Sequence, residues 1–353
     1  MRVATIVGNR PQFVKAAAVS APLRRRHEET LIHTGQHHDA ELSSVFFEEL
    51  GVPAPDYWLG VAGGDNASQL SRMREALGPL LRELAPDAVL VYGDTNSTLA
   101  GALAAVDASR PLVHVEAGMR SFDTTMPEER NRVRTDQLAG LLLCSTASAI
   151  EQLRDEGVRG DAVLVGDVMV DVARAMSERV RSNARALERL GLTSGSYLLA
   201  TLHRAANVDD PEQLRAFVEL LEALRDPVVL PLHPRTRARL EASGLAGRAA
   251  QAAELTPPLG YLEFATLLYN AKAVLTDSGG VQKEAYLAAV PCITLRDRTE
   301  WTETVETGWN TLVGLDPAAA VAALDQPKPA SRPELYGDGH AGERVVAALD
   351  KLA

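Results

Sequence analysis

The chain alternates between two kinds of segment. Short, continuous apolar runs rich in Val, Ile and Leu are separated by longer stretches where Ala, Leu, Arg and Glu recur at helical spacing. In the first half the runs fall at Val3–Val7, Glu29–His33, Ala88–Tyr92, Leu112–Val115, Gly140–Cys144 and Ala162–Val165. In the second half they fall at Tyr197–Thr201, Val228–Pro231, Ala273–Thr276 and Cys292–Leu295. A strand that is apolar throughout must be covered on both faces. Such runs, separated by amphipathic helices, therefore predict an α/β protein with parallel sheets and helices on either side. Near 168–183 the pattern becomes one long polar helix, followed by the turn-rich 190–195 and a new strand. That break suggests a first Rossmann-like domain over 1–172, completed by a C-terminal helix at about 338–353, and a second over 173–337. Two doubly wound domains facing a central cleft would bring their strand carboxyl ends, and any ligand, to that cleft.

Composition narrows the classes of partner. Hydrophobic residues make up 46% and charged residues 24% of 353 positions, enough apolar material for two cores. A net charge of −11 weighs against a nucleic-acid partner, so an anionic ligand would have to be met by local cations. Cys144 and Cys292 lie in apolar runs and read as buried small hydrophobes in a reducing compartment. The N-terminus enters a strand pattern at once, and no apolar run is long enough to span a bilayer. The expected setting is the cytoplasm, with no membrane partner.

Candidate chemistry gathers at the predicted strand ends. Gly8-Asn9-Arg10-Pro11-Gln12-Phe13-Val14-Lys15 follows the first strand and puts Arg10 and Lys15 near a helix N-terminus, where free amides favour an anion. An ordinary strand–helix turn with a solvated lysine would read the same way. The segment is not a GxGxxG fingerprint, which argues against a nicotinamide dinucleotide. Gly93-Asp94-Thr95-Asn96-Ser97 and His114-Val115-Glu116-Ala117-Gly118 each end a strand on a carboxylate, and Pro127-Glu128-Glu129-Arg130-Asn131-Arg132 opens a helix. One such acid alone would serve as a cap or a solvated surface group. Three in one domain point to proton transfer. Clustered carboxylates repel, so one is expected to have a raised pKa as a general acid while another stays ionised as a base.

In the second half, Thr201-Leu202-His203-Arg204 and Leu232-His233-Pro234-Arg235 follow consecutive strands and suggest a diphosphate site. Their spacing is not that of a metal site. Thr276-Asp277-Ser278-Gly279-Gly280-Val281-Gln282-Lys283-Glu284 has the form strand, tight turn, helix. Its glycines would let the backbone approach a phosphate, with Glu284 about one turn later to accept from a ribose diol.

These motifs, in this order, resemble the non-hydrolysing UDP-N-acetylglucosamine 2-epimerases, and the resemblance covers nearly the whole chain. It also includes Pro257-Pro258-Leu259-Gly260-Tyr261-Leu262-Glu263-Phe264 and Tyr336-Gly337-Asp338-Gly339. It implies a glycosyltransferase-B type architecture, an isomerase acting in cell-surface polysaccharide biosynthesis, a UDP-sugar substrate and a homodimer. It also implies anti elimination of UDP to a 2-acetamidoglucal and re-addition to the opposite face, with no metal or redox cofactor. Carried over position by position, the catalytic set is Asp94, Glu116, Glu128, His203 and Lys15. The implied substrate contacts are Arg10, Arg132, His233, Leu259, Tyr261, Ser278, Gly279, Gly280 and Glu284. Two departures bear on substrate and regulation. Thr299-Glu300-Trp301-Thr302-Glu303 resembles members acting on UDP-2,3-diacetamido sugars with a C6 carboxylate. Gln36-His37-His38-Asp39 and Gly63-Gly64-Asp65-Asn66 differ from members activated by a second UDP-N-acetylglucosamine, so such activation is expected to be altered or absent.

Overall fold

The computed structural model of the chain describes residues 1–36, 49, 51–183 and 185–352. Internal contacts divide it into two units, Met1–Ala175 with Glu334–Ala353, and Met176–Pro333. The first unit holds β1 (Arg2–Val7), β2 (Glu28–His33), β3 (Tyr57–Trp58), β4 (Ala88–Tyr92), β5 (Leu112–Ala117), β6 (Leu141–Cys144) and β7 (Asp161–Leu164). They form one parallel sheet in the order β3-β2-β1-β4-β5-β6-β7. The second unit holds β8 (Leu198–Thr201), β9 (Val228–Pro231), β10 (Glu254–Thr256), β11 (Ala273–Thr276), β12 (Cys292–Thr294) and β13 (Asn310–Leu312). Their order is β10-β9-β8-β11-β12-β13, again parallel.

Except at the exposed edge strand β7, the apolar runs form strands covered on both faces. In β8, Leu198 and Ala200 pack with Phe217 and Leu221 on one face, while Leu199 packs with Phe264 and Leu268 on the other. Each such leucine contributes roughly 1.5–3 kcal/mol of burial. In the first sheet, Ile6, Val91 and Leu142 meet Met73, Leu77 and Leu81 of the helix Asn66–Leu84. The helix Ala341–Leu349 lies on the helix Arg10–Arg24. A Cβ at Gly342 would come within 2.1 Å of the Ala18 carbonyl oxygen, so only glycine permits that approach. Asp171 anchors the helix by accepting from the amides of Ala341 and Gly342 at 3.0 and 2.8 Å.

Each sheet reverses its winding once, between β1 and β4 and between β8 and β11. Strand carboxyl ends beside such a reversal are where doubly wound sheets hold ligands. The first-unit motifs end β1, β4 and its neighbour β5. The second-unit motifs end β8, β9 and β11.

Candidate active site

In the first unit β1 runs into Gly8 and Asn9, and Asn9 caps the following helix, its side chain accepting from Gln12 N at 3.3 Å. Gln12 is buried and ties the turn to β4. Its Oε1 accepts from Gly8 N at 2.8 Å, and its amide nitrogen donates to Tyr92 O and Thr98 Oγ1, both at 3.0 Å. One turn into the helix, Lys15 forms an ion pair with Glu116. Glu116 sits where the β5–β6 register shifts, with φ of 71°. A left-handed conformation costs a non-glycine residue on the order of 1–3 kcal/mol, and such outliers concentrate at functional positions. Gly93 lies against the pair: a Cβ there would stand 2.9 Å from Lys15 Nζ and 3.3 Å from Glu116 Oε2.

Asp94, the next residue, is ion-paired with the buried Arg132, and its carbonyl accepts from Asn131 Nδ2 at 3.0 Å. Arg132 also reaches Glu129 at 3.2 Å. Glu129 is inward-facing and binds the 121–122 loop, accepting from Ser121 N, Ser121 Oγ and Phe122 N, all at 2.9 Å. Glu128, half-buried in the same first turn, forms no hydrogen bond or ion pair among the described residues. The repulsion expected among clustered acids is thus met by cations, Lys15 for Glu116 and Arg132 for Asp94.

In the second unit the turn after β8 is organised by Asp277, which is fully buried at the end of β11. It accepts from His203 N at 3.2 Å, Arg204 N at 2.9 Å and Asn207 Nδ2 at 3.2 Å. Burial pushes the Asp277 carboxyl up, but His203 and these donors outweigh it and hold the pKa below the ordinary value. The His203 ring stays about half exposed. His233 caps the helix Pro234–Ala242. Partial desolvation, then the nearby charges of His203 and Arg235, lower its pKa. Ser278 caps the helix Gly279–Leu287, its Oγ accepting from Val281 N at 3.5 Å. A Cβ at Gly279 would fall 2.1 Å from Glu300 Oε1, so a larger residue there would displace the Glu300 carboxylate. Glu300 is gripped by Arg296 at 2.9 Å, and the buried Lys283 ammonium sits 4.2 Å from the Trp301 ring centre. Leu259 and Tyr261 are buried around the start of the helix Tyr261–Asn270, and Glu284 is half-buried.

Residues 22–350 match the family described as UDP-N-acetylglucosamine 2-epimerase. The chain belongs to the UDP-N-acetylglucosamine 2-epimerase family, a family of isomerases. A Pseudomonas aeruginosa protein named UDP-2,3-diacetamido-2,3-dideoxy-D-glucuronate 2-epimerase is 45% identical, over 100% of each chain. The structure of Methanocaldococcus jannaschii UDP-GlcNAc 2-epimerase, in complex with UDP-GlcNAc and UDP, superposes with a TM-score of 0.93 at 38% identity, covering 99% of this chain and 100% of that one. A Polygonum tinctorium UDP-glucosyltransferase shares only 15% identity, at a TM-score of 0.61 over 99% of this chain and 92% of its own, and shows the fold alone. The architecture is that of the glycosyltransferase-B type, as the resemblance implied.

Within the first unit the fold gathers Lys15, Asp94, Glu116 and Arg132 at neighbouring strand ends, with Arg10 at the start of the same helix as Lys15. Within the second it gathers His203, His233 and Ser278–Gly280. Of the segment that departs from allosterically activated members, His37–Asp39 lie outside the described residues. Asp65 of the other departure caps the helix Asn66–Leu84. Residue-type reasoning passed over Gln12, His114, Asp136 and Asp277. His114 carried a signal, being a lone polar side chain inside an apolar strand.

Proposed function

We propose that the chain inverts C2 of a UDP-linked 2-acetamido sugar, interconverting UDP-N-acetylglucosamine and UDP-N-acetylmannosamine. The observation that carries this reading is Glu116, held at positive φ on a strand-end bulge and paired with Lys15. Strain kept at a non-glycine carboxylate fits a reacting group better than a structural one.

The C2 hydrogen has no adjacent carbonyl and is not acidic. Departure of UDP from C1 must therefore lead, so that positive character at C1 loosens the C2–H bond. UDP and the C2 proton leave from opposite faces, giving a 2-acetamidoglucal. Return of UDP to C1 and of a proton to the other face of C2 completes the inversion. The reading gives Asp94, Glu116 and Glu128 the proton transfers. Arg10, Lys15, His203 and Arg132 stabilise the leaving diphosphate, which is the larger electrostatic task. Ser278, Gly279 and Gly280 bind phosphate through amides at a helix N-terminus, Glu284 binds the ribose, and His233, Leu259 and Tyr261 complete the nucleotide contacts.

A second reading keeps the chemistry and changes the sugar to a UDP-2,3-diacetamido-glucuronate. It is favoured by Trp301-Thr302-Glu303 and by the Pseudomonas aeruginosa relative. Under either reading the protein acts in the cytoplasm as a homodimer without membrane or nucleic-acid partners. Among the described residues no helix is long and apolar enough to cross a membrane. Purified protein incubated with a panel of UDP-sugars and followed by proton NMR tests the proposal. A C2 epimer still bearing UDP is the expected product. Free sugar with UDP would point to a hydrolysing enzyme, and no reaction with any UDP-2-acetamido sugar would end the reading.

A further inference from the structure

Asp94 follows β4 and Glu116 lies at the end of the neighbouring β5, and one buried carboxylate is bonded towards the backbone beside both. Asp136, on the helix Pro127–Leu138, is fully buried. Its Oδ1 lies 2.7 Å from His114 Nδ1, and its Oδ2 accepts from Gly118 N at 3.2 Å and Arg120 Nη1 at 2.7 Å. The other nitrogen of His114, Nε2, lies 2.7 Å from the carbonyl oxygen of Gly93. Burial pushes the Asp136 carboxyl up, but His114 and Arg120 outweigh it and hold the pKa below the ordinary value. A carbonyl oxygen can only accept, so Nε2 of His114 carries the proton donated to Gly93, while Nδ1 faces the Asp136 carboxylate. Beyond Arg120, Glu156 accepts at 2.8 and 2.6 Å, so charges alternate along Glu156, Arg120 and Asp136. Alternation compensates each buried charge.

Compensation alone would make this a packing device. Its end points say more. The Gly93 carbonyl immediately precedes Asp94, and Gly93 packs against Lys15 and Glu116. Gly118, at φ 81°, follows directly on the bulge that holds Glu116. We propose that His114 is a positioning residue whose Nε2–H bond to Gly93 aims Asp94, while Asp136, through the Gly118 amide, fixes the aim of Glu116. The inference rests on the epimerase reading. Displacing a reacting group by about 1 Å can cost about 100-fold in rate.

His114→Asn and His114→Gln separate the two bonds. The shorter amide can donate to Asp136 but gives up Gly93; the longer one can reach Gly93. UDP titration counts folded sites and gives affinity, and turnover is expressed per site. His114→Asn is expected to lower kcat at least about 30-fold, with KM and UDP affinity within about two-fold of wild type. His114→Gln is expected to recover at least about 10-fold of that loss. Wild-type turnover per site in His114→Asn, or Asn outperforming Gln, would overturn the proposal. Should neither variant fold, histidine ring nitrogen NMR on the wild-type protein still decides. A scalar coupling across the hydrogen bond from a ring Nε2 to the Gly93 carbonyl carbon is expected, and a His114 ring with no proton on Nε2 would overturn it. Wild-type protein that epimerises no UDP-sugar would instead remove the functional reading, leaving the ring's bond to Gly93 as an independent result.

Discussion

His203 Nδ1 lies 3.2 Å from Asp277 Oδ1, joining residues that follow the two adjacent strands β8 and β11 at the winding reversal of the second sheet. Asp277 is fully enclosed while the histidine ring is half exposed, so the acid holds the ring and leaves its outer edge to a ligand.

The first prediction concerns that acid. Asp277→Asn places an amide nitrogen or a weaker acceptor against the amides of His203 and Arg204, which are left poorly satisfied. The expected cost is about 2–4 kcal/mol of unfolding free energy at pH 7, measured in urea. Because the folded pKa is depressed, the acid's contribution is fully present above the unfolded value of about 3.9. It is lost as pH falls through the depressed value. The variant should therefore lose less stability than wild type between pH 5 and pH 3. Equal stabilities at pH 7 would contradict this account of the turn.

Gly8 gives a test of geometry free of any functional assumption. A Cβ there would lie 2.1 Å from both Ser97 Oγ and Thr34 Oγ1, which are themselves bonded at 2.8 Å. Neither hydroxyl can retreat without breaking that bond, and Ser97 also holds Gln36 Oε1 at 2.6 Å. Gly8→Ala should destabilise the protein by roughly 1–3 kcal/mol. A variant as stable as wild type in denaturant would show that the three strand ends are looser than described.

What the sequence could reveal follows from the same geometry. Ten strands were legible, nine of them because parallel strands buried on both faces cannot avoid being apolar, and the tenth, the largely exposed edge strand β7, from its Ala-Val-Leu run alone. β3, β10 and β13 were not, since each pairs over two or three residues and includes polar or exposed positions such as Trp58 and Asn310. The candidate acids were legible because charge at the end of an apolar run is conspicuous. Their partners were harder to read. Lys15 and Glu116 are 101 positions apart, and only the β1-β4-β5 order brings them together. The positive φ of Glu116 had no local marker, because glutamate shows no preference for that region.

Amide replacement of the three acids separates binding from chemistry. Asp94→Asn, Glu116→Gln and Glu128→Gln keep shape and remove a proton-carrying oxygen. Each should lower kcat by about two orders of magnitude or more, with UDP affinity little changed. Glu128 forms no bond to another described residue, so its amide should also leave thermal stability unaltered. Near-normal turnover in all three variants would remove the acids from the mechanism.

The remaining prediction follows the C2 hydrogen itself. Elimination and re-addition must break the C2–H bond and return a proton to the opposite face. If different acids remove and return it, the hydrogen delivered is not the one taken. An acid accessible to water between turnovers exchanges its proton with solvent. Asp94 is 29% exposed at its side chain and meets that condition. Epimerised product formed in D2O should therefore carry deuterium at C2. A redox route through a C3 ketone needs a bound nicotinamide, and Gly8–Lys15 has no such fingerprint. A carbon–carbon cleavage route would leave the C2 hydrogen in place. Elimination has a second signature, because the glucal is held by noncovalent contacts alone. It should escape occasionally, so a trace of 2-acetamidoglucal and UDP should accumulate on long incubation. Full retention of the original hydrogen at C2, with no glucal found by NMR, would refute the elimination mechanism whichever sugar the enzyme accepts.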